Sequence, residues 1–198
     1  PEDPPSGARR RPRVAYVTWV GYDAPQRSDV LLPDRSVLRD RVAREAAPAL
    51  ARFLNGIDAS RDVPPHSVVL GHSYGSLVTA NALRFNTGVD DVALFGSPGV
   101  GGAFTSLFET GLKPGGLNVL KADRDLVAAS GWFPVDPAQI AGATLLSTST
   151  VLLPGSPKEI GSASTGHSDY LKPGSTSQHN LAALILHRPD LFVHVAPS

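Results

Sequence analysis

Apolar residues along this chain gather into short β-branched runs separated by longer segments of helical period, the alternation expected of a parallel α/β sheet. Val14-Ala15-Tyr16-Val17-Thr18-Trp19-Val20 is nearly continuous in apolar character, which predicts a strand covered on both faces. Gly21-Tyr22-Asp23-Ala24-Pro25 closes it as a loop. From Asp34 to Asn55, Val37, Leu38, Val42, Ala46, Leu50, Phe53 and Leu54 recur at helical spacing. Pro48 is expected to bend or split that helix, because it removes an internal hydrogen bond. Asn55-Gly56 reads as its stop.

Val68-Val69-Leu70 predicts the next strand, followed by a helix to Asn86 whose buried face holds Leu77, Val78 and Leu83. Asp91 to Gly96 predicts a further strand, leading into the glycine-rich loop Ser97–Gly102. That loop lacks the glycine order of a nucleotide-binding turn. A short helix is expected over Ala103–Glu109, a strand over Leu117–Ala122 and another over Thr144–Leu153. Ser175-x-x-Gln178 reads as a capping box opening the last helix, with Leu181, Leu184 and Ile185 on its apolar face. No internal repeat is present. The fold class is α/β, with a doubly wound, mostly parallel sheet.

The 198 residues suit one domain, taken as 14–198, behind a loose leader over 1–13. Formal net charge is zero, which argues against non-specific nucleic-acid binding; the cluster Arg9-Arg10-Arg11-Arg13 reads as a solvated arm. No apolar run reaches the roughly 18 residues of a membrane span. The absence of cysteine excludes disulfides, a thiolate nucleophile and cysteine-ligated metal, and leaves the compartment open. The chain lacks an initiating methionine and so reads as a processed or trimmed product.

The chemistry centres on Gly71-His72-Ser73-Tyr74-Gly75, which breaks directly out of a strand into a helix. That context would thrust the Ser73 hydroxyl out of the sheet, with the glycines relieving backbone crowding. It would also put the Tyr74 N–H where negative charge develops on a reacting carbonyl oxygen. A serine hydroxyl needs a histidine to take its proton and a carboxylate to orient that histidine. Asp123 and Asp125 both follow a later strand's carboxyl end. Among six histidines, His167 lies in a loop after those acids and before the last helix. His66 sits at the wrong end of its strand, His72 reads as packing, His179 is a weaker candidate, and His187 and His194 belong to the terminal helix and tail. Asp169 is expected to support the His167 loop.

Tyr22 and Trp132, with Trp19 and Phe133, lie near carboxyl-end loops and are candidates to line a substrate pocket. Residues 128–136 are a candidate lid. No His-x-x-x-His or clustered carboxylate–histidine spacing appears, so neither a metal nor an organic cofactor is expected. The expected partner is a small-molecule or lipid ester. A non-catalytic binding module and an acyltransferase with the same triad are the competing readings.

Taken together, Gly21-Tyr22-Asp23-Ala24-Pro25, Gly71-His72-Ser73-Tyr74-Gly75-Ser76, Phe95-Gly96-Ser97-Pro98-Gly99 and Gly166-His167-Ser168-Asp169-Tyr170-Leu171 resemble an α/β-hydrolase family of unknown function. That family occurs in bacteria of high genomic GC content and is related to the cutinase and lipase branch. The resemblance runs from Val14 to the last helix and implies a triad of Ser73, Asp125 and His167. Asp125 is preferred because Ala122-x-x-Asp125-Leu126-Val127 resembles the turn around the superfamily's acid. In that superfamily the second oxyanion donor follows a strand upstream of the one at Val14, and the usual N-terminal strands are absent here. Either the Gly21-Tyr22 loop supplies that N–H, or this chain is a fragment completed by a missing segment; the fragment is the preferred expectation.

Overall fold

The computed structural model describes residues 13–23, 36–156 and 158–196. The leader, apart from Arg13, lies outside them, as do Ala24-Pro25 and the helix start expected at Asp34.

Four strands form one parallel sheet in the order β1-β2-β3-β4: β1 (Val68–His72), β2 (Asp91–Phe95), β3 (Leu117–Leu120) and β4 (Thr144–Leu146). Both faces are covered, and the alternation along β2 shows how. Val92 and Leu94 pack with Ala80 and Leu83 of α2 (Tyr74–Leu83) on one face. Ala93 and Phe95 pack with Leu181 and Leu184 of α4 (Thr176–Ile185) on the other. Side chains that alternate at period 2 therefore serve two cores at once, which explains the nearly unbroken apolar runs. α2 is itself sandwiched: Leu77, Val78 and Ala82 meet Ala43, Ala47, Leu50 and Ala51 of α1 (Ser36–Ala59). Each such leucine contributes about 1.5–3 kcal/mol by leaving water.

Several expectations are corrected. Val14–Val20 forms no strand: Tyr16, Val17 and Val20 are 78%, 64% and 84% exposed. An apolar run becomes a strand only when a ladder satisfies its backbone groups, and this one pairs with none of the four strands. α1 is not split at Pro48, and it continues past Asn55-Gly56 to Ala59. The Gly56 carbonyl still accepts a bond from the Ser60 N–H at 3.1 Å, and the Ser60 hydroxyl donates to the Ile57 carbonyl at 2.7 Å. α2 ends at Leu83 rather than Asn86, which sits at φ 50°.

The helix expected over Ala103–Glu109 shrinks to the single 3₁₀ turn Leu107–Glu109, where Ser106 and Glu109 form a capping box. The strand expected over Thr144–Leu153 divides in two. After β4 the chain turns away, with the Ser147 N–H donating to the Val193 carbonyl at 2.7 Å. It resumes as β5 (Val151–Leu152), antiparallel to β6 (Ile160–Gly161). At the start of α4, Ser175 accepts from the Gln178 N–H, but Gln178 Oε1 accepts from the Gly174 N–H at 2.8 Å, one residue earlier than a standard box. Among the described residues no helix is long and apolar enough to cross a membrane.

Candidate active site

β1 delivers the site. Its last rung is followed by Ser73, whose N–H bonds to the Phe95 carbonyl at 3.0 Å and whose backbone stands at φ 53°, ψ −127°. That is an unfavourable conformation for a residue with a side chain, worth about 1–3 kcal/mol of strain. Its surroundings hold it there. The Ser76 hydroxyl lies 2.6 Å from both the Ser73 carbonyl and the Ser97 hydroxyl, and Ser97 Oγ also accepts from the Gly99 N–H at 3.2 Å. Gly71 is crowded, since a Cβ would lie 3.0 Å from Thr79 Oγ1 and 3.1 Å from Ser76 Cα. Gly75 is not: among the described residues a Cβ there meets only the Tyr22 hydroxyl, at 4.0 Å. One glycine of the pair relieves crowding, therefore, and the other does not.

His167 reaches Ser73 from the loop between β6 and α4, with Nε2 2.8 Å from Ser73 Oγ. Its Nδ1 lies 3.0 Å from each oxygen of Asp125. A carboxylate can only accept, so Nδ1 carries the proton and the bare Nε2 accepts from the serine hydroxyl. Asp125 starts α3 (Leu126–Ala129), and its Oδ1 accepts the Val127 and Ala128 N–H groups, each at 3.0 Å. Its Oδ2 accepts the Tyr170 hydroxyl proton at 2.8 Å. Burial alone would raise the Asp125 pKa. The bonds from Ala128, His167 and Tyr170 outweigh it and hold the carboxyl below its ordinary range, so the group stays ionised. Asp123 is exposed, and the structure brings Asp125, not Asp123, to His167.

Three supports escaped the sequence reading. Tyr170 is 1% exposed and bridges two segments, accepting the Ala122 N–H at 2.8 Å while donating to Asp125. Desolvation by burial, with the nearby Asp125 charge, pushes its phenol well above the ordinary range, so it remains a donor. Its place three residues after His167 in the Gly166–Leu171 motif was the available signal. Gly96 (φ 60°) makes room for the cluster: a Cβ there would lie 3.1 Å from Asp125 Oδ2, 3.1 Å from Tyr170 Cε2 and 3.2 Å from His167 Cε1. His72 stacks on Phe95 and also donates from Nε2 to the His167 carbonyl, at 2.8 Å. Asp169 takes the expected supporting part, accepting the Thr165 N–H and hydroxyl at 3.2 Å each.

The remaining candidates are placed as follows. Tyr74 heads α2 immediately after Ser73. A row of rings runs beside it, with Trp19 to Tyr22 at 6.1 Å, Tyr22 to Tyr74 at 5.7 Å and Tyr74 to Phe133 at 6.1 Å between centroids. Trp132 is 41% exposed at the surface, whereas Phe133 is buried against α1 and α2. Residues 128–136 do not hang free as a lid. The Phe133, Val100 and Gly101 N–H groups, each at 3.0 Å from a carbonyl, stitch 133–135 to the Pro98–Gly101 loop. His179 bonds to the Leu191 carbonyl at 2.9 Å, and His66 and His187 lie together at the amino ends of β1 and β2.

Residues 5–131 match a family described as alpha/beta hydrolase. An uncharacterized protein of Mycobacterium tuberculosis is 41% identical over 147 residues, covering 72% of this chain and 52% of its own length; one from Mycobacterium bovis aligns equally well. A second Mycobacterium tuberculosis protein, also uncharacterized, is 36% identical over 88 residues, covering 43% of this chain and 13% of its own. The chain thus spans about half the length of the first of these relatives. No solved structure matches it.

Proposed function

The chain belongs to the α/β hydrolase family, and on that footing we propose that it is a serine hydrolase cleaving carboxylic esters through an acyl-enzyme on Ser73. The observation that carries this reading is the continuous relay from Ser73 Oγ to His167 to Asp125, joined by bonds of 2.8 and 3.0 Å. In the proposed sequence His167 Nε2 takes the hydroxyl proton as Ser73 Oγ attacks the ester carbonyl carbon. Asp125 fixes the imidazole orientation and offsets the charge His167 acquires. The Tyr74 N–H, at the start of α2, stabilises the oxyanion. Collapse of the tetrahedral species expels the alcohol with the proton held on His167. Water then attacks the acyl carbon with His167 again as base, freeing the acid and Ser73. The row formed by Tyr22 and Tyr74 supports an apolar acyl or alkoxy group lying beside the elbow, and Tyr22 places the Gly21-Tyr22 loop there as well.

The test is hydrolysis of p-nitrophenyl esters of graded acyl length. Release of p-nitrophenol that is lost in Ser73→Ala supports the reading. Equal release by Ser73→Ala would refute it.

A further inference from the structure

Because β1 and β2 run parallel, their carboxyl ends carry Ser73 and Gly96 while their amino ends face the other side of the molecule, roughly 13 Å away along β1. At that far end three separate segments converge. His66 precedes β1, Asp91 opens β2, and His187 follows the last turn of α4. His66 Nε2 lies 3.0 Å from Asp91 Oδ2, and His187 Nδ1 lies 3.9 Å from the same oxygen. The imidazole centroids are 4.4 Å apart, and one ligand atom from each residue falls within 4.8 Å of the others.

A tetrahedral ion with arms of about 2.0–2.1 Å holds its donor atoms about 3.3–3.4 Å apart. The observed spacings bracket that value, so small side-chain rotations suffice. The His187 side chain is 71% exposed and free to make them. A second carboxylate completes the arrangement: Asp90 Oδ2 sits 3.5 Å from His66 Nδ1 and is itself fixed by the Ser67 N–H at 2.8 Å. A carboxylate beside the far nitrogen favours the tautomer that presents Nε2 to a metal.

We propose that His66, Asp91 and His187 bind one zinc-class divalent cation, which clamps the end of α4 to the amino ends of β1 and β2. Two imidazoles and one carboxylate select a borderline first-row ion over magnesium or calcium, which favour all-oxygen sets. The site stands apart from the Ser73 machinery and does not depend on the hydrolase reading.

The experiment is calorimetric titration of chelator-treated protein with ZnCl2, alongside MgCl2, on wild type, Asp91→Asn, His187→Ala and His167→Ala. The expected result is one zinc per chain with a raised melting temperature and no magnesium response. Affinity should fall at least about tenfold in Asp91→Asn and His187→Ala, and should persist in His167→Ala. His187→Ala removes an exposed side chain, so its folding is secure, and circular dichroism verifies it. Wild type that binds no zinc, or zinc retained at full affinity in a His66→Ala/His187→Ala double variant, would overturn the proposal.

Discussion

The Nε2–H of His72 donates to the backbone carbonyl of His167 at 2.8 Å, and the two rings lie 4.7 Å apart. The residue before the nucleophile therefore holds the loop that carries the imidazole facing Ser73, which couples the elbow to a segment 95 residues downstream.

Replacing His72 by Ala should leave that carbonyl without its partner, a cost of about 1–3 kcal/mol. If half of this appears as misplacement of the imidazole, ester turnover falls roughly two- to tenfold. Burial also lowers the His72 pKa from 6.5. The unfolded chain then binds the proton more readily, so stability is full above pH 6.5 and declines as pH falls below it. Urea unfolding as a function of pH should show a shallower decline in His72→Ala than in wild type.

Tyr170→Phe removes one donor to Asp125 and strands the buried Ala122 N–H. The expected cost is about 1–3 kcal/mol in chemical denaturation. Asp125 also loses one of the bonds that hold its proton off, so its pKa should rise toward the ordinary carboxylate range. NMR titration of the Asp125 carboxyl carbon measures this directly.

Gly96→Ala and Gly75→Ala form a discriminating pair. At Gly96 a methyl would meet Asp125, Tyr170 and His167 in a backbone conformation that side chains resist. Stability should fall by at least about 1–2 kcal/mol. At Gly75 the one contact among the described residues, outside its own helix backbone, is 4.0 Å away, so the fold should tolerate alanine within about 0.5 kcal/mol. Thermal melts of both variants compare them.

Asp125→Asn should depress ester turnover by orders of magnitude, up to about 10⁴-fold where the acid fixes the tautomer, whereas Asp123→Asn should sit near wild type. Comparable losses in both would show that the turn as a whole, not one carboxylate, matters.

The parallel sheet was legible because β2 and β3 are buried on both faces and are therefore mostly apolar, Val92–Phe95 without a break and Leu117–Leu120 interrupted only by Asn118. The elbow and the His167 loop were legible because each has a local signature. Val14–Val20 misled by the same rule that succeeded elsewhere, since apolar content reports suitability for a strand and not the presence of a partner edge. The preference for Asp125 over Asp123 came from the resemblance of the Ala122–Val127 turn, and in the fold Asp125 meets His167 while Asp123 is exposed. The histidine–aspartate cluster at His66, Asp91 and His187 was invisible to spacing, because its members come from three segments that only the fold joins. Tyr170 and His72 were hidden for the same reason, their partners being 45 and 95 residues distant.

An activity-based fluorophosphonate probe, with the adduct located by peptide mass spectrometry, examines the activated serine most directly. One adduct is expected, on Ser73 in the folded chain, lost in urea and sharply slowed in His167→Ala. A folded chain that takes up no probe, or takes it up on another serine at an equal rate, would contradict that expectation.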